Sequence, residues 1–126
     1  MKRRSKRPLG AEDLRVVALA LPEATEGSHM GHPDFRVRNK IFASLHPDGR
    51  TAAFKAEPAD LDALVLADPK TFKAVWGGRY LAVDLRSVAL DALRSLAADS
   101  WRLVAPKSVV AAHADAGGRV PRKRPA

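Results

Sequence analysis

The sequence predicts one α+β domain built on an antiparallel sheet and carried between two strongly basic tails. Apolar residues keep helical spacing up to Pro22, alternate with polar ones between Pro22 and Lys55, and return to helical spacing after Pro58 and again after Ser87. Turn-forming residues interrupt the alternating stretch at hairpin intervals. With 126 residues, 46% of them hydrophobic, the chain has material for one core and no room for a second domain.

Residues 1–10 are polar and basic, and they bury too little apolar area to order themselves, which predicts a disordered tail. Leu14, Val17, Ala18 and Leu21 then define a helix over about 11–20, ended by Pro22, which forces Leu21 out of the helical region. Ser28 to Met30 is a short strand candidate, followed by Asp34 to Val37, where Phe35 and Val37 alternate with Asp34 and Arg36. Arg38-Asn39 suits a two-residue hairpin turn into Lys40 to Leu45. The turn His46-Pro47-Asp48-Gly49 leads to Thr51 to Lys55 and completes a three-stranded meander. Pro58, with Asp60 and Asp62 near the positive end of the dipole, opens a second helix that Asp68-Pro69 closes. Residues 70–79 show no clear period, and Leu81, Val83 and Leu85 mark a further strand. Ser87 is a candidate cap for a helix with the stripe Leu90, Leu93, Ala97, Trp101 and Val104, ending at Pro106. A short helical turn is expected over Lys107 to His113, inside a domain spanning 11–114, and residues 115–126 form the second disordered basic tail.

The net charge is +8, but its placement matters more than its sum. Lys2, Arg3, Arg4, Lys6 and Arg7 crowd one end and Arg119, Arg122, Lys123 and Arg124 the other, while all 14 acidic residues lie between Glu12 and Asp115. The segment from Leu9 to Ala116 is therefore close to neutral, and attraction to phosphate has to come from the tails or from a local patch. The absence of cysteine excludes disulfides, thiolate metal sites and a cysteine nucleophile, and fits a reducing compartment. The basic start runs into Glu12, Asp13 and Arg15 instead of an apolar stretch, so no secretory signal is expected. No run approaches the roughly 20 apolar residues of a membrane span, which predicts a cytoplasmic protein with no membrane partner.

His29 and His32 are three residues apart, but no HExxH pattern or third ligand accompanies them, so neither metal nor cofactor is expected. No Gly-x-Ser-x-Gly elbow marks a nucleophile, and no catalytic residue is assigned. Gly77-Gly78-Arg79 lacks the spaced glycines of a phosphate loop and suits a bend feeding a strand. Trp101 lies on the apolar stripe of its helix, whereas Trp76 is open to either core packing or base stacking. Arg36, Arg38 and Lys40 put three cations on one hairpin with only Asp34 as a nearby acid in sequence, the geometry of a wing lying along a phosphate backbone, and Lys55 closes the adjacent strand. Pro121-Arg122-Lys123-Arg124-Pro125 is similar to the core of an AT-hook, with Lys123 where that motif has the glycine that lets backbone approach the groove floor.

Taken in order, Leu21-Pro22-Glu23-Ala24-Thr25-Glu26, His29-x-Gly31-x-Pro33-x-Phe35-Arg36-Val37, Lys40-Ile41-Phe42-Ala43, Phe54-Lys55, Tyr80-Leu81-Ala82-Val83-Asp84 and Ser100-Trp101-Arg102-Leu103-Val104 form a series that resembles the MmcQ/YjbR family over about 11–113. The resemblance implies a CyaY-like fold, an antiparallel sheet with helices packed on one face, described for that family as a double-wing DNA-binding domain. It implies no reaction, metal or substrate. Asn39 stands where the family's usual glycine precedes the lysine, and the family's usual tryptophan after the hydrophobic bend is Tyr80 here or is displaced to Trp76. The resulting expectation is a monomeric, non-enzymatic protein that binds nucleic acid, DNA first, through Lys2, Arg3, Arg4, Lys6, Arg7, Arg119, Arg122, Lys123 and Arg124 in the tails and Arg36, Arg38, Lys40 and Lys55 on the domain. An RNA- or ribosome-associated role, and a module for a protein or small ligand, are the alternatives.

Overall fold

The computed structural model describes residues 7–115. Its element order is α1 (Ala11–Leu19), β1 (Ala24–His29), β2 (His32–Val37), β3 (Lys40–Leu45), β4 (Thr51–Lys55), α2 (Pro58–Ala67), β5 (Phe72–Val75), β6 (Tyr80–Asp84), α3 (Leu90–Val104) and α4 (Lys107–Asp115). The six strands form one antiparallel sheet in the order β1-β2-β3-β4-β6-β5. Strand β6 reaches β4 only after α2 and β5, so β5 becomes the far edge and β1 the near one.

Turn chemistry accounts for the hairpins. Met30 and Gly31 join β1 to β2, and Arg38 and Asn39 join β2 to β3; all four have positive φ, as a turn that follows the right-handed twist of its strands requires. Gly49 takes the left-handed position of the β3–β4 turn, whose Asp48 carboxylate accepts the Arg50 and Thr51 amides at 2.9 Å each.

One face of the sheet carries the core. Register places Phe35 opposite Ala43, Ala43 opposite Phe54 and Phe54 opposite Leu81, while Leu45, Ala52, Val83 and Phe72 form the next row. Between Phe35 and Arg36 the β2–β3 register slips, leaving Phe42 as the extra residue of a bulge, so that Phe42 and Ala43 both turn inward and both are buried. Helix α3 lays Leu93, Ala97, Trp101 and Val104 over β3 and β4, and α1 adds Leu14, Val17 and Ala18. Two polar bonds fix α3 in place: the Ser100 hydroxyl donates to the Phe42 carbonyl, and the Trp101 indole N–H donates to the Pro22 carbonyl at 2.9 Å. Phe35, Val37, Phe42, Leu81, Val83, Leu93 and Trp101 thus share one core.

Several sequence expectations change. The first strand runs Ala24–His29 where only Ser28 to Met30 was expected, and 70–79 contains β5. Ser87 caps nothing: α3 begins after Ala89 with no side-chain cap, and the Ser87 hydroxyl instead donates to Asp84 at 3.3 Å. Leu90, at the start of α3, is exposed. The basic tail was expected to extend to Gly10, yet Leu9 packs against the core, and the Arg7 guanidinium clasps Asp13 at 2.7 and 3.0 Å. Asp13 also accepts the Gly10 amide at 2.9 Å, fixing the entry to α1. Lys2, Arg3, Arg4, Lys6, Arg119, Arg122, Lys123 and Arg124 lie outside the described residues. Among the described residues no helix is long and apolar enough to cross a membrane.

Candidate nucleic-acid interface

The face of the sheet away from the core is crossed by a single row of residues paired from one edge to the other: Gly27, Asp34, Ser44, Ala53, Ala82 and Lys73. Its centre is built of small side chains, so larger neighbours from adjacent rows lie over it. The two ends differ in chemistry.

At the β1–β2 end stands a buried ion pair. Asp34 has no solvent exposure, and its two carboxylate oxygens accept Arg36 Nε at 2.6 Å and Nη2 at 2.9 Å, with His29 Nδ1 2.8 Å from the second oxygen. The Arg36 hydrogen bonds hold the carboxyl below the usual range against the opposing effect of burial, and His29 adds to the lowering. Gly27 lies directly across from Asp34. A Cβ there would sit 2.8 Å from Arg36 Nε, so the glycine is what lets the guanidinium lie flat over β1.

This geometry alters the expected wing. Arg36 also donates to Asn39 at 2.9 Å, and Arg38 forms a two-pronged pair with Glu23 at 2.8 and 3.1 Å. Along the sequence Asp34 is the hairpin's one neighbouring acid; the fold brings Glu23, fifteen residues away, to its tip. Of the three hairpin cations, only Lys40 has no ion-pair partner among the described residues. Most domain arginines are likewise engaged: Arg15 with Glu12 and Glu26, Arg50 with Asp84, Arg94 with Asp91 and Arg102 with Asp99.

The β4–β6–β5 end is different. Lys55 pairs in register with Tyr80, Lys73 with Ala82, and Arg79 sits on the β5–β6 hairpin; all three cations are exposed and without an ion-pair partner among the described residues. Trp76 lies in the same β5–β6 turn as Arg79. Its φ of 53° opens a run of three left-handed residues with Gly77 and Gly78, a conformation disfavoured for any side chain beyond Cα. The indole lies 5.0 Å from the Tyr80 ring, edge-on, and 5.7 Å from His46. Tyr80 and His46 flank the Ser44–Ala53–Ala82 row on opposite sides, so an indole touching both crosses that small-residue floor. It remains 57% exposed.

Sequence reasoning kept Lys55 and Trp76 in view but did not join them, and it missed Lys73, Arg79 and Tyr80 as neighbours. The available signal was the alternation of Phe72 and Ala74 with Lys73 and Val75 ahead of Gly77-Gly78, a short edge strand and its turn. Among the described residues no group of three or more His, Cys, Asp or Glu side chains is arranged to hold a metal.

A family model described as YjbR matches residues 19–103. The crystal structure of Deinococcus radiodurans protein DR2400, a DUF419 domain, aligns with a TM-score of 0.70 over 92% of this chain and 92% of its own, at 21% identity. Likeness at that identity speaks to the fold. No curated protein matches the sequence.

Proposed function

The chain belongs to the YjbR family, and on that premise we propose that it is a non-enzymatic nucleic-acid-binding protein whose contact surface is the open face of the sheet. The observation that carries this reading is that Lys55, Lys73 and Arg79, exposed and without an ion-pair partner among the described residues, share one end of the sheet with an exposed aromatic ring, on a domain whose other arginines are largely neutralised. Cations without partners are the ones that can exchange counterions for phosphate. The basic ends of the sequence add charge and raise affinity without choosing a sequence. The reading moves the docking surface from the Arg36–Arg38–Lys40 hairpin to the opposite end of the sheet, with Lys55 common to both.

The test is a titration of the full chain against single-stranded DNA, duplex DNA and RNA at several salt concentrations. Binding that weakens linearly with the logarithm of salt supports the proposal. A chain with no affinity for any of the three at low salt would end it.

A second reading rests on a groove of about 270 Å³ between α2 and α3, floored by Phe54, Leu64, Leu81, Leu96 and Leu103, with Lys55 and Asp60 on its rim. An apolar floor with a few polar groups is the ordinary form of a small-ligand site. Thermal stabilisation by a small amphiphile, together with no affinity for nucleic acid, would favour it.

A further inference from the structure

A nucleic acid can present two chemistries to a protein surface, phosphate on the outside and the flat faces of its bases. In a duplex those faces are stacked on one another; only an unpaired strand offers them. The open end of the sheet carries a partner for each.

Trp76 is held in a way that packing does not require. The core beneath the sheet is complete without it, and its backbone sits in the left-handed region, where glycine is at ease and a large side chain is not. Glycine occupies the next two positions of the same turn, so a glycine at 76 would complete the run without strain. Tyr80 meets the indole edge-on and His46 flanks it, fixing the ring plane over the small side chains of Ala53 and Ala82 while most of the ring stays in solvent. A fixed, exposed aromatic plane is a stacking platform. Lys55 is paired in register with Tyr80, whose ring the indole meets, Lys73 is paired with Ala82, and Arg79 lies in the same β5–β6 turn as Trp76. Exposed cations thus share this end of the sheet with the ring and can serve the phosphates that flank a stacked base. The acids of the same face are engaged elsewhere: Asp84 with Arg50 and Asp34 with Arg36.

We propose that Trp76 is a base-stacking site and that the ligand of this surface is single-stranded nucleic acid, with one base on the indole and Lys55, Lys73 and Arg79 on the neighbouring phosphates. This rests on the nucleic-acid reading above and narrows it to an unpaired strand. Stacking tolerates every base, so the site reads strandedness and not sequence.

The protein supplies its own probe, because Trp101 is fully buried and Trp76 is the exposed tryptophan of the pair. Intrinsic fluorescence of the full chain is followed during titration with an oligothymidine of about 12 nucleotides, within the usual reach of such surfaces, and with a duplex of equal length. The expected result is saturable quenching by the single strand, weaker binding of the duplex, a loss of at least fivefold in single-strand affinity in Trp76→Ala, and substantial retention in Trp76→Phe. Melting curves of both variants report that the fold is kept. Oligothymidine binding of equal strength in wild type and Trp76→Ala would overturn the stacking site while leaving the nucleic-acid reading intact. Duplex binding as tight as single-strand binding would overturn the choice of ligand. Absence of binding to both, and to RNA, would remove the reading on which the site depends.

Discussion

Asp34 and Arg36 are two residues apart on the same strand and share two hydrogen bonds, at 2.6 and 2.9 Å, on a face of the sheet where the carboxylate has no exposure to water. Side chains at i and i+2 of a strand point the same way, so a β-strand brings this pair together without help from the rest of the fold. What the fold supplies is the cover: His29 from the edge strand and a glycine opposite.

Arg36→Ala should therefore act on stability before it acts on binding. Removing one partner of the pair leaves the Asp34 charge uncompensated on a side chain with no exposure to water, so the variant should be less stable than wild type. The wild-type pair lowers the Asp34 pKa, so its stabilisation is in place above the unfolded value of about 3.9 and is lost as pH falls through the lower folded value. Without the guanidinium, burial is opposed only by the smaller lowering from His29, so the Asp34 pKa rises from its wild-type value. Urea unfolding at pH 7 and near pH 4 should show the gap between variant and wild type narrowing toward acid. A gap independent of pH would mean that packing, not charge, is what Arg36 provides.

Gly27→Ala tests the same pair from the neighbouring strand. Its new Cβ would meet Arg36 Nε at 2.8 Å and Asp34 Oδ1 at 3.0 Å, close enough that the guanidinium has to move off the carboxylate. A loss of about 1 to 3 kcal/mol is expected, in the range of overpacking, even though β-propensity alone favours alanine over glycine in a strand. A stabilised Gly27→Ala protein would show that the pair tolerates displacement.

How much of this the sequence revealed varies from element to element for physical reasons. The Arg38-Asn39 and Pro47-Asp48-Gly49 turns were legible because their chemistry is local, and the core residues Phe35, Phe42, Leu81 and Trp101 because periodicity is local too. Strand β1 was cut short because Thr25, Glu26 and Ser28 on an exposed edge carry no apolar alternation. Strand β5 was missed because it is four residues long and is followed by a tryptophan that turns the chain. The charge balance of the β2–β3 hairpin was illegible for a different reason. The pairing of Arg38 with Glu23 joins residues on opposite sides of a hairpin, and charge counted along the chain cannot register it. The grouping of Trp76, Tyr80 and His46 needs the β4–β6 pairing, which no short-range pattern encodes.

The two tryptophans should separate cleanly on substitution. Trp101 is wholly buried and donates its indole N–H to Pro22, so Trp101→Ala should lose about 3 to 5 kcal/mol. Trp76→Gly removes a partly exposed ring and also a left-handed conformation that costs a side chain roughly 1 to 2 kcal/mol. These effects oppose each other, and the net change should stay within about 1 kcal/mol. Denaturant unfolding of both proteins checks this. A Trp76→Gly protein as unstable as Trp101→Ala would place Trp76 among the structural residues and take away the argument from strain.

The last prediction separates the two ends of the sheet as contact surfaces. Each phosphate neutralised on a single strand contributes roughly 0.7 to the slope of log affinity against log salt. Lys55, Lys73 and Arg79 are unpaired among the described residues, so replacing all three by alanine in the full chain should flatten the slope by about 2. The comparison variant is Arg38→Ala with Lys40→Ala, which leaves the Asp34–Arg36 pair and hence the fold alone. Arg38 is already neutralised by Glu23, so this double substitution should remove no more than the contribution of Lys40, a change of about 0.7 or less. Both variants keep the terminal basic residues, whose share of the slope then cancels between them. A larger flattening from the Arg38 and Lys40 pair than from Lys55, Lys73 and Arg79 would return the contact surface to the β2–β3 hairpin, with Glu23 giving up Arg38 to phosphate on binding.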